Sequence, residues 1–262
     1  MNPPRALILA AGRGERMRPL TDATPKPLLA VQGQPLMQWT LAALLRAGVR
    51  ELLVNTAWLG AQIESYFDHQ RLSRLRKQLS IEEQIKLHFS SEGADFGHAL
   101  ETAGGIARAL PRLAPAAGDV FWVAAGDVFA PGFGFDAAAP ARFAASGRLA
   151  HLWLVPNPAH NPRGDFGIGA DGLALNDAPA GGARHTFSTL ALYRRALFEP
   201  PWCDIPPGNP QGVTAPLAPL LRRAIAAGWV SAELYTGPWT DVGTPERLAQ
   251  LNAASPPNCK SL

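Results

Sequence analysis

The run Leu9-Ala-Ala-Gly-Arg-Gly-Glu-Arg-Met-Arg-Pro-Leu20, with Thr24-Pro-Lys-Pro-Leu28 close behind it, carries the strongest chemical signal in the chain. Glycines at 12 and 14 let backbone N–H groups approach an anion without side-chain interference, while Arg16 and Lys26 bring positive charge to the same rim. That combination makes a cradle for a compact polyphosphate. It is not a Walker loop, because Gly-Lys-Ser/Thr occurs nowhere, and not a dinucleotide fingerprint, because Met17 stands where GxGxxG needs its third glycine. A GxG after a strand is by itself more often a tight turn. The lysine held between two prolines makes the pattern specific.

Two aspartates form a second constellation. Asp127 follows the apolar run 120–125, and Asp241 lies far away between Trp239-Thr240 and Val242-Gly243. Taken singly, each reads more readily as a helix cap or turn residue. Brought together from separate strand ends, they can hold Mg²⁺, a hard cation that takes oxygen ligands and bridges substrate phosphates. The formal net charge of +3 is accounted for by residues 1–30, where Arg5, Arg13, Arg16, Arg18 and Lys26 face only Glu15 and Asp22. Charge counting alone fits a solubility role equally well. No basic stripe with stacking aromatics accompanies it, so nucleic acid is not the expected partner.

These residues need a framework. Residues 5–10 read as a buried strand entering a loop that runs to about Pro27; 35–47 has helical apolar spacing with Gly48 as its C-terminal cap; 51–55 reads as the next strand. Strand, helix and strand within about 50 residues argue for a right-handed βαβ unit. Further on, 58–76 and 102–110 read as helices, and 85–90 and 120–125 as strands. After Leu149 the pattern changes to short strands at 149–155, 166–168 and 187–192, with helices near 214–227 and 245–253. This half reads as a substrate cap, and 130–148 and 200–213 as surface connections. The expectation is one α/β domain over 1–254, a doubly wound, mixed but mainly parallel sheet flanked by helices. Its half with the phosphate cradle would be 1–130, its cap-like half 131–254, and 255–262 a disordered tail.

A chain of 262 residues, 47% hydrophobic, can bury a sizeable core. No apolar stretch approaches the roughly 18 residues of a membrane span, so no membrane role is expected. Cys203 and Cys259 lack CxxC spacing, which fits a reducing cytoplasm. The six histidines show no metal-ligand spacing.

The opening motif and Pro-Lys-Pro resemble the sugar-1-phosphate nucleotidyltransferases, and most closely the N-acetylmuramate-1-phosphate uridylyltransferases of bacterial cell-wall recycling. The resemblance extends through Ala57-Trp-Leu-Gly60, Glu101-Thr-Ala-Gly-Gly-Ile106, Gly126-Asp-Val128, Arg163-Gly-Asp-Phe166, Thr186-Phe-Ser188 and Asp241-Val-Gly-Thr244. It implies a metal-dependent enzyme that joins a nucleoside monophosphate to a sugar 1-phosphate and releases pyrophosphate. It also implies that Ala11, Gly12, Gly14, Glu15 and Arg16 wrap the triphosphate, with Lys26 neutralising phosphate. Glu92, Gly104 and Gly105 fall where that family holds base and ribose. Asp127 and Asp241 would bind Mg²⁺ or Mn²⁺, and Arg16, Lys26 and Asp127 would carry the chemistry.

For the sugar phosphate the candidates are Asn157, Arg163, Asp165 and Ser188, with Trp153 and Phe166 as apolar walls; loop punctuation explains Asn157-Pro and Arg163-Gly-Asp equally well. The chain departs from the family where no lysine lies between His88 and Cys259, where Ala125 precedes Gly-Asp, and where Ala103 interrupts a glycine run. Arg163 is a candidate substitute for the missing lysine. A glucose- or mannose-1-phosphate enzyme and a non-catalytic nucleotide-sugar sensor stay open as alternatives, as does the oligomeric state.

Overall fold

The computed structural model describes residues 4–254, so the expected disordered tail lies outside the described residues. β1 (Arg5–Ala10) leads through α1 (Leu20–Ala23) and a small hairpin of β2 (Ala30–Val31) and β3 (Gln34–Pro35) to α2 (Leu36–Arg46) and β4 (Glu51–Thr56). Then come α3 (Gly60–Tyr66), α4 (His69–Gln78), β5 (Lys86–Ser91), α5 (Glu92–Phe96), α6 (Glu101–Leu113) and β6 (Val120–Ala125). β7 (Val128–Phe129), α7 (Ala139–Ala145), β8 (Ala150–Val155), β9 (Gly167–Ile168), β10 (Ala174–Leu175) and β11 (Thr186–Arg194) follow. The chain closes with α8 (Leu217–Ala226), β12 (Val230–Leu234), β13 (Thr240–Asp241) and α9 (Pro245–Ala253).

The main sheet has the order β12-β8-β11-β6-β1-β4-β5, and every neighbouring pair is parallel except the two that β11 makes. This is the doubly wound, mainly parallel α/β fold expected. Alternation along the central strands explains the two layers. Leu7, Leu53, Phe121 and Val123 pack with Ile106 and Leu110 of α6 and Leu217 and Leu221 of α8. Ala6, Ile8, Val54 and Trp122 pack on the other face with Met37 and Leu41 of α2 and Phe143 of α7. Each fully buried aliphatic or aromatic side chain is worth roughly 1.5–3 kcal/mol, so strands apolar on both faces make a rigid floor for the loops above.

Three sequence expectations need correction. The helix expected over 58–76 is two helices, because the Asp68 side chain accepts from Arg71 N at 2.7 Å and starts α4 afresh as an N-cap. Residues 130–148 are more than a surface connection: they contain α7 and bury Phe133, Phe135 and Phe143. Phe135 meets Trp122 edge to face at 5.0 Å, and the surrounding Pro, Gly and Ala hide this aromatic spacing in the sequence. The 200–213 segment is pinned by the buried Asn209, whose Nδ2 donates to Gly104 O at 3.1 Å and Val213 O at 2.8 Å. In the second half β8, β11 and β12 extend the same sheet. No helix among the described residues is long and apolar enough to cross a membrane.

Candidate active site

β1 and β6 lie side by side with Leu9 registered against Ala125, so the loops that leave them start together above the carboxyl ends of parallel strands. The loop after β1 turns at Gly14, φ +65°. A Cβ there would lie 3.0 Å from Thr21 Cγ2 and 3.2 Å from Lys26 Cβ, so a larger residue would push Lys26 out of place. The Thr21 hydroxyl donates to Gly14 O at 2.8 Å and fixes the turn. Ala11, Gly12, Gly14, Glu15, Arg16 and Lys26 line one cavity of about 620 Å³ together with Asp127.

Pro25 and Pro27 hold Lys26 in a tight 3-10 turn, with Leu28 N donating to Pro25 O at 2.8 Å. Its side chain is only 8% exposed, and a buried ammonium persists only when paired. Nζ donates to Asp127 Oδ2 at 2.6 Å and lies 3.6 Å from Asp241 Oδ1. Asp241 reaches this point because β13 pairs with β7, setting Asp241 opposite Val128, while Val242 N donates to Asp127 O at 3.3 Å. Arg247 Nη1 holds Asp241 from the far side, 3.2 Å from Oδ2 and 3.1 Å from its carbonyl oxygen. Arg16 Nη2 stands 3.9 Å from Asp241 Oδ2 and His160 Nε2 3.4 Å. Burial first, then Arg247, holds the His160 imidazole below its ordinary range against the pull of Asp241.

Both carboxylates turn an oxygen toward one buried cation, and Asp127 is 39% exposed. Oxygen donors from two strand ends suit a hard divalent ion that fills its remaining positions with water and phosphate. Among the described residues no group of three His, Cys, Asp or Glu side chains gathers as a metal site, so the substrates would have to complete the coordination.

Glu92, Gly104 and Gly105 lie beneath this cavity and do not line it. Glu92 is fully buried; its Oε1 accepts from Asn55 Nδ2 and its Oε2 from Leu100 N, both at 2.8 Å, and Asn55 Oδ1 accepts from Ala10 N at 2.8 Å. Burial pushes the Glu92 carboxyl above its usual range, and the two hydrogen bonds pull partly against it. A Cβ on Gly105 would sit 2.6 Å from Glu92 Oε1, and one on Gly104 2.5 Å from Val213 O. The glycines therefore make room for protein atoms, and the residue that reaches the wall is Asn55. Asn55, Glu101, Thr102 and Thr189 were not among the site residues expected from the sequence, although Glu101 and Thr102 stand in one of the motifs that carry the resemblance. Asn55 does carry a signal in the sequence, a polar side chain ending an apolar strand.

A second cavity of about 370 Å³, lined by Asp165, Phe166, Tyr193 and Arg222 among others, shares Leu9, Glu101, Thr102 and Thr189 with the first. Of the four sugar candidates only Asp165 lines it. Asp165 Oδ2 accepts from Phe187 N at 2.8 Å, and Asn157 holds the backbone through Arg184 O at 2.9 Å and Pro162 O at 3.2 Å. Ser188 is fully buried, its hydroxyl donating to Trp153 O at 2.5 Å, and Arg163 is exposed and lines neither cavity. Trp153 is a core residue stacked near Trp122, not a wall.

The nucleotidyl transferase family profile matches residues 5–168. The N-acetylmuramate alpha-1-phosphate uridylyltransferase of Neisseria meningitidis serogroup B is 42% identical over 95% of this chain and 97% of its own length. The protein of that name from Caulobacter vibrioides is 30% identical over 93% of both chains. Among solved structures, a putative glucose-1-phosphate thymidylyltransferase from Bacillus anthracis superposes with a TM-score of 0.70 over 95% of this chain and 94% of its own, at 18% identity.

Proposed function

Because the chain belongs to the nucleotidyl transferase family, we propose that it transfers UMP from UTP to N-acetylmuramate 1-phosphate and releases pyrophosphate. Identity to a uridylyltransferase of that sugar along nearly the whole of both chains supports the choice of substrates. The observation that carries the reaction class is the meeting of Lys26, Asp127 and Asp241 at the rim of the glycine loop.

The chemistry follows from charge. A phosphate oxygen of the acceptor attacks the α-phosphorus of UTP, the bond to the bridging oxygen breaks, and pyrophosphate leaves with that electron pair. The attacking phosphate is already ionised near neutral pH, so no protein base is required. The chain's tasks are to bring two anions together and to stabilise charge moving onto the leaving group. Backbone N–H groups of residues 12–14 and the Arg16 guanidinium take the departing phosphates. In the free protein Lys26 pairs with Asp127 and Arg247 with Asp241, so the cavity does not present a bare negative rim to an incoming triphosphate. Asp127 and Asp241 would hold Mg²⁺ or Mn²⁺, which supplies the positive charge that screens the phosphates of the two reactants from each other. Glu92 acts through Asn55, which fixes the end of β1 where the loop begins. The nucleotide donor sets the reaction in the cytoplasm, and the acceptor sets it in cell-wall sugar recycling.

The test is pyrophosphate release from UTP and Mg²⁺ with N-acetylmuramate 1-phosphate, run beside glucose 1-phosphate and mannose 1-phosphate. Turnover is expected with the first sugar in preference to the others. A preference for glucose or mannose 1-phosphate rejects the acceptor, and nucleotide-sugar binding without any pyrophosphate rejects the enzyme.

A further inference from the structure

Arg222 lies on the exposed side of α8 and stacks its guanidinium over the Phe166 ring, 5.2 Å from the centroid. Phe166 is only 3% exposed, so the platform under the arginine is fixed. The Arg222 carbonyl accepts from Asn176 Nδ2 at 3.0 Å, which ties this turn of α8 to the segment after β10. Among the described residues Arg222 makes no ion pair, although it lines the 370 Å³ cavity beside Asp165 and Glu101. Asp165 turns its Oδ2 to Phe187 N and to Asn161 Nδ2 at 3.2 Å, away from service as a partner. A guanidinium oriented by an aromatic face, with its planar fork unused, matches a carboxylate better than any neutral group. The cavity it borders opens through Leu9, Glu101, Thr102 and Thr189 onto the phosphate cavity.

We propose that Arg222 takes a carboxylate carried on the ring of the acceptor sugar, at the end of the acceptor cavity away from its phosphate. This rests on the acceptor named above and specifies how it is chosen. N-acetylmuramate differs from N-acetylglucosamine by a lactyl ether that ends in a carboxylate, the one group of that sugar that calls for an arginine. Asp165 and Glu101 face the hydroxyl and amide donors of the ring. They also repel a carboxylate placed anywhere but at Arg222, so the same cavity both attracts the right acceptor and penalises a misplaced one.

The experiment compares kcat/KM for N-acetylmuramate 1-phosphate and N-acetylglucosamine 1-phosphate in the wild type, Arg222→Gln and Arg222→Lys. The ratio of the two should fall about thirtyfold in Arg222→Gln, the size of one charge-assisted hydrogen bond lost, mostly through KM, and Arg222→Lys should recover part of it. Esterifying the lactyl carboxylate should cost the wild type a similar factor and cost Arg222→Gln little more, because both changes remove one contact. A ratio unchanged in Arg222→Gln, a uniform loss with both sugars, or an ester used as well as the acid by the wild type overturns the proposal while the uridylyl transfer stands. A wild type that turns over neither sugar phosphate removes the reading on which the proposal rests.

Discussion

Two polar clusters flank the cavities, and they spend their side chains differently. Around Lys26, four cationic or imidazole groups converge on Asp241, and Asp127 keeps a face open to the cavity. Around Asn157, by contrast, polarity is consumed by the backbone: Asn157 holds Pro162 O and Arg184 O, Asp165 holds Phe187 N, and Ser188 holds Trp153 O. Residue type alone does not separate the two groups. What separates them is hydrogen-bonding and charge capacity left over once the fold has been satisfied.

The strongest way to break this comparison is Asp127→Asn. The side chain is partly exposed, its loss leaves no core cavity, and Lys26 keeps Asp241 at 3.6 Å, so the stability lost should be about 1 kcal/mol, smaller than for the lysine itself. Turnover should fall on the order of a thousandfold, the loss typical of a preorganised electrostatic contact. Pyrophosphate release within tenfold of wild type at saturating Mg²⁺ would return Asp127 to the structural class. Lys26→Met comes next. It leaves two carboxylates facing a buried gap, at a cost of about 2 kcal/mol, less than a fully buried broken pair because Asp127 reaches solvent. Thermal melts should show the loss without metal and its partial recovery with Mg²⁺, and a melt indifferent to both contradicts the pairing.

How much of this was legible in the sequence follows the same division. β1 and β6 appear at 5–10 and 120–125 as their apolar runs predict, because strands buried on both faces have little freedom of interpretation. The glycine loop and Lys26 were legible too, since prolines and glycines act locally. Asn55 and Thr189 were not: they reach the cavity only through the strand order β6-β1-β4 and the bulge between Phe187 and Leu190. Glu92 was found as a residue, but its place beneath the wall depends on Asn55 and Leu100, contacts that local spacing does not encode.

Ser188→Ala sharpens the other side of the comparison. Its hydroxyl donates to Trp153 O and accepts from Leu190 N at 3.1 Å, so the substitution should cost about 1–2 kcal/mol in a denaturant melt. The KM for either substrate should stay put. A raised acceptor KM without lost stability would move Ser188 into the site.

Thr189 is the boundary case, because it belongs to the second cluster by sequence and lines both cavities. It adopts φ +64°, a conformation that costs an L residue roughly 1–2 kcal/mol and a β-branched one in particular. Glycine would relieve that strain but would add about 0.5–1 kcal/mol of chain entropy to the cost of folding. Thr189→Gly also gives up the bond from its hydroxyl to Ser188 O at 2.5 Å, which is worth about 1 kcal/mol net. These terms nearly cancel, so stability should stay within about 1 kcal/mol of wild type. The wall between the cavities would meanwhile lose a side chain, and the acceptor KM should rise severalfold with kcat little changed. A destabilisation well beyond that bound, with kinetics untouched, would mean that the strained threonine serves the bulge of β11 and belongs wholly with Asn157 and Ser188.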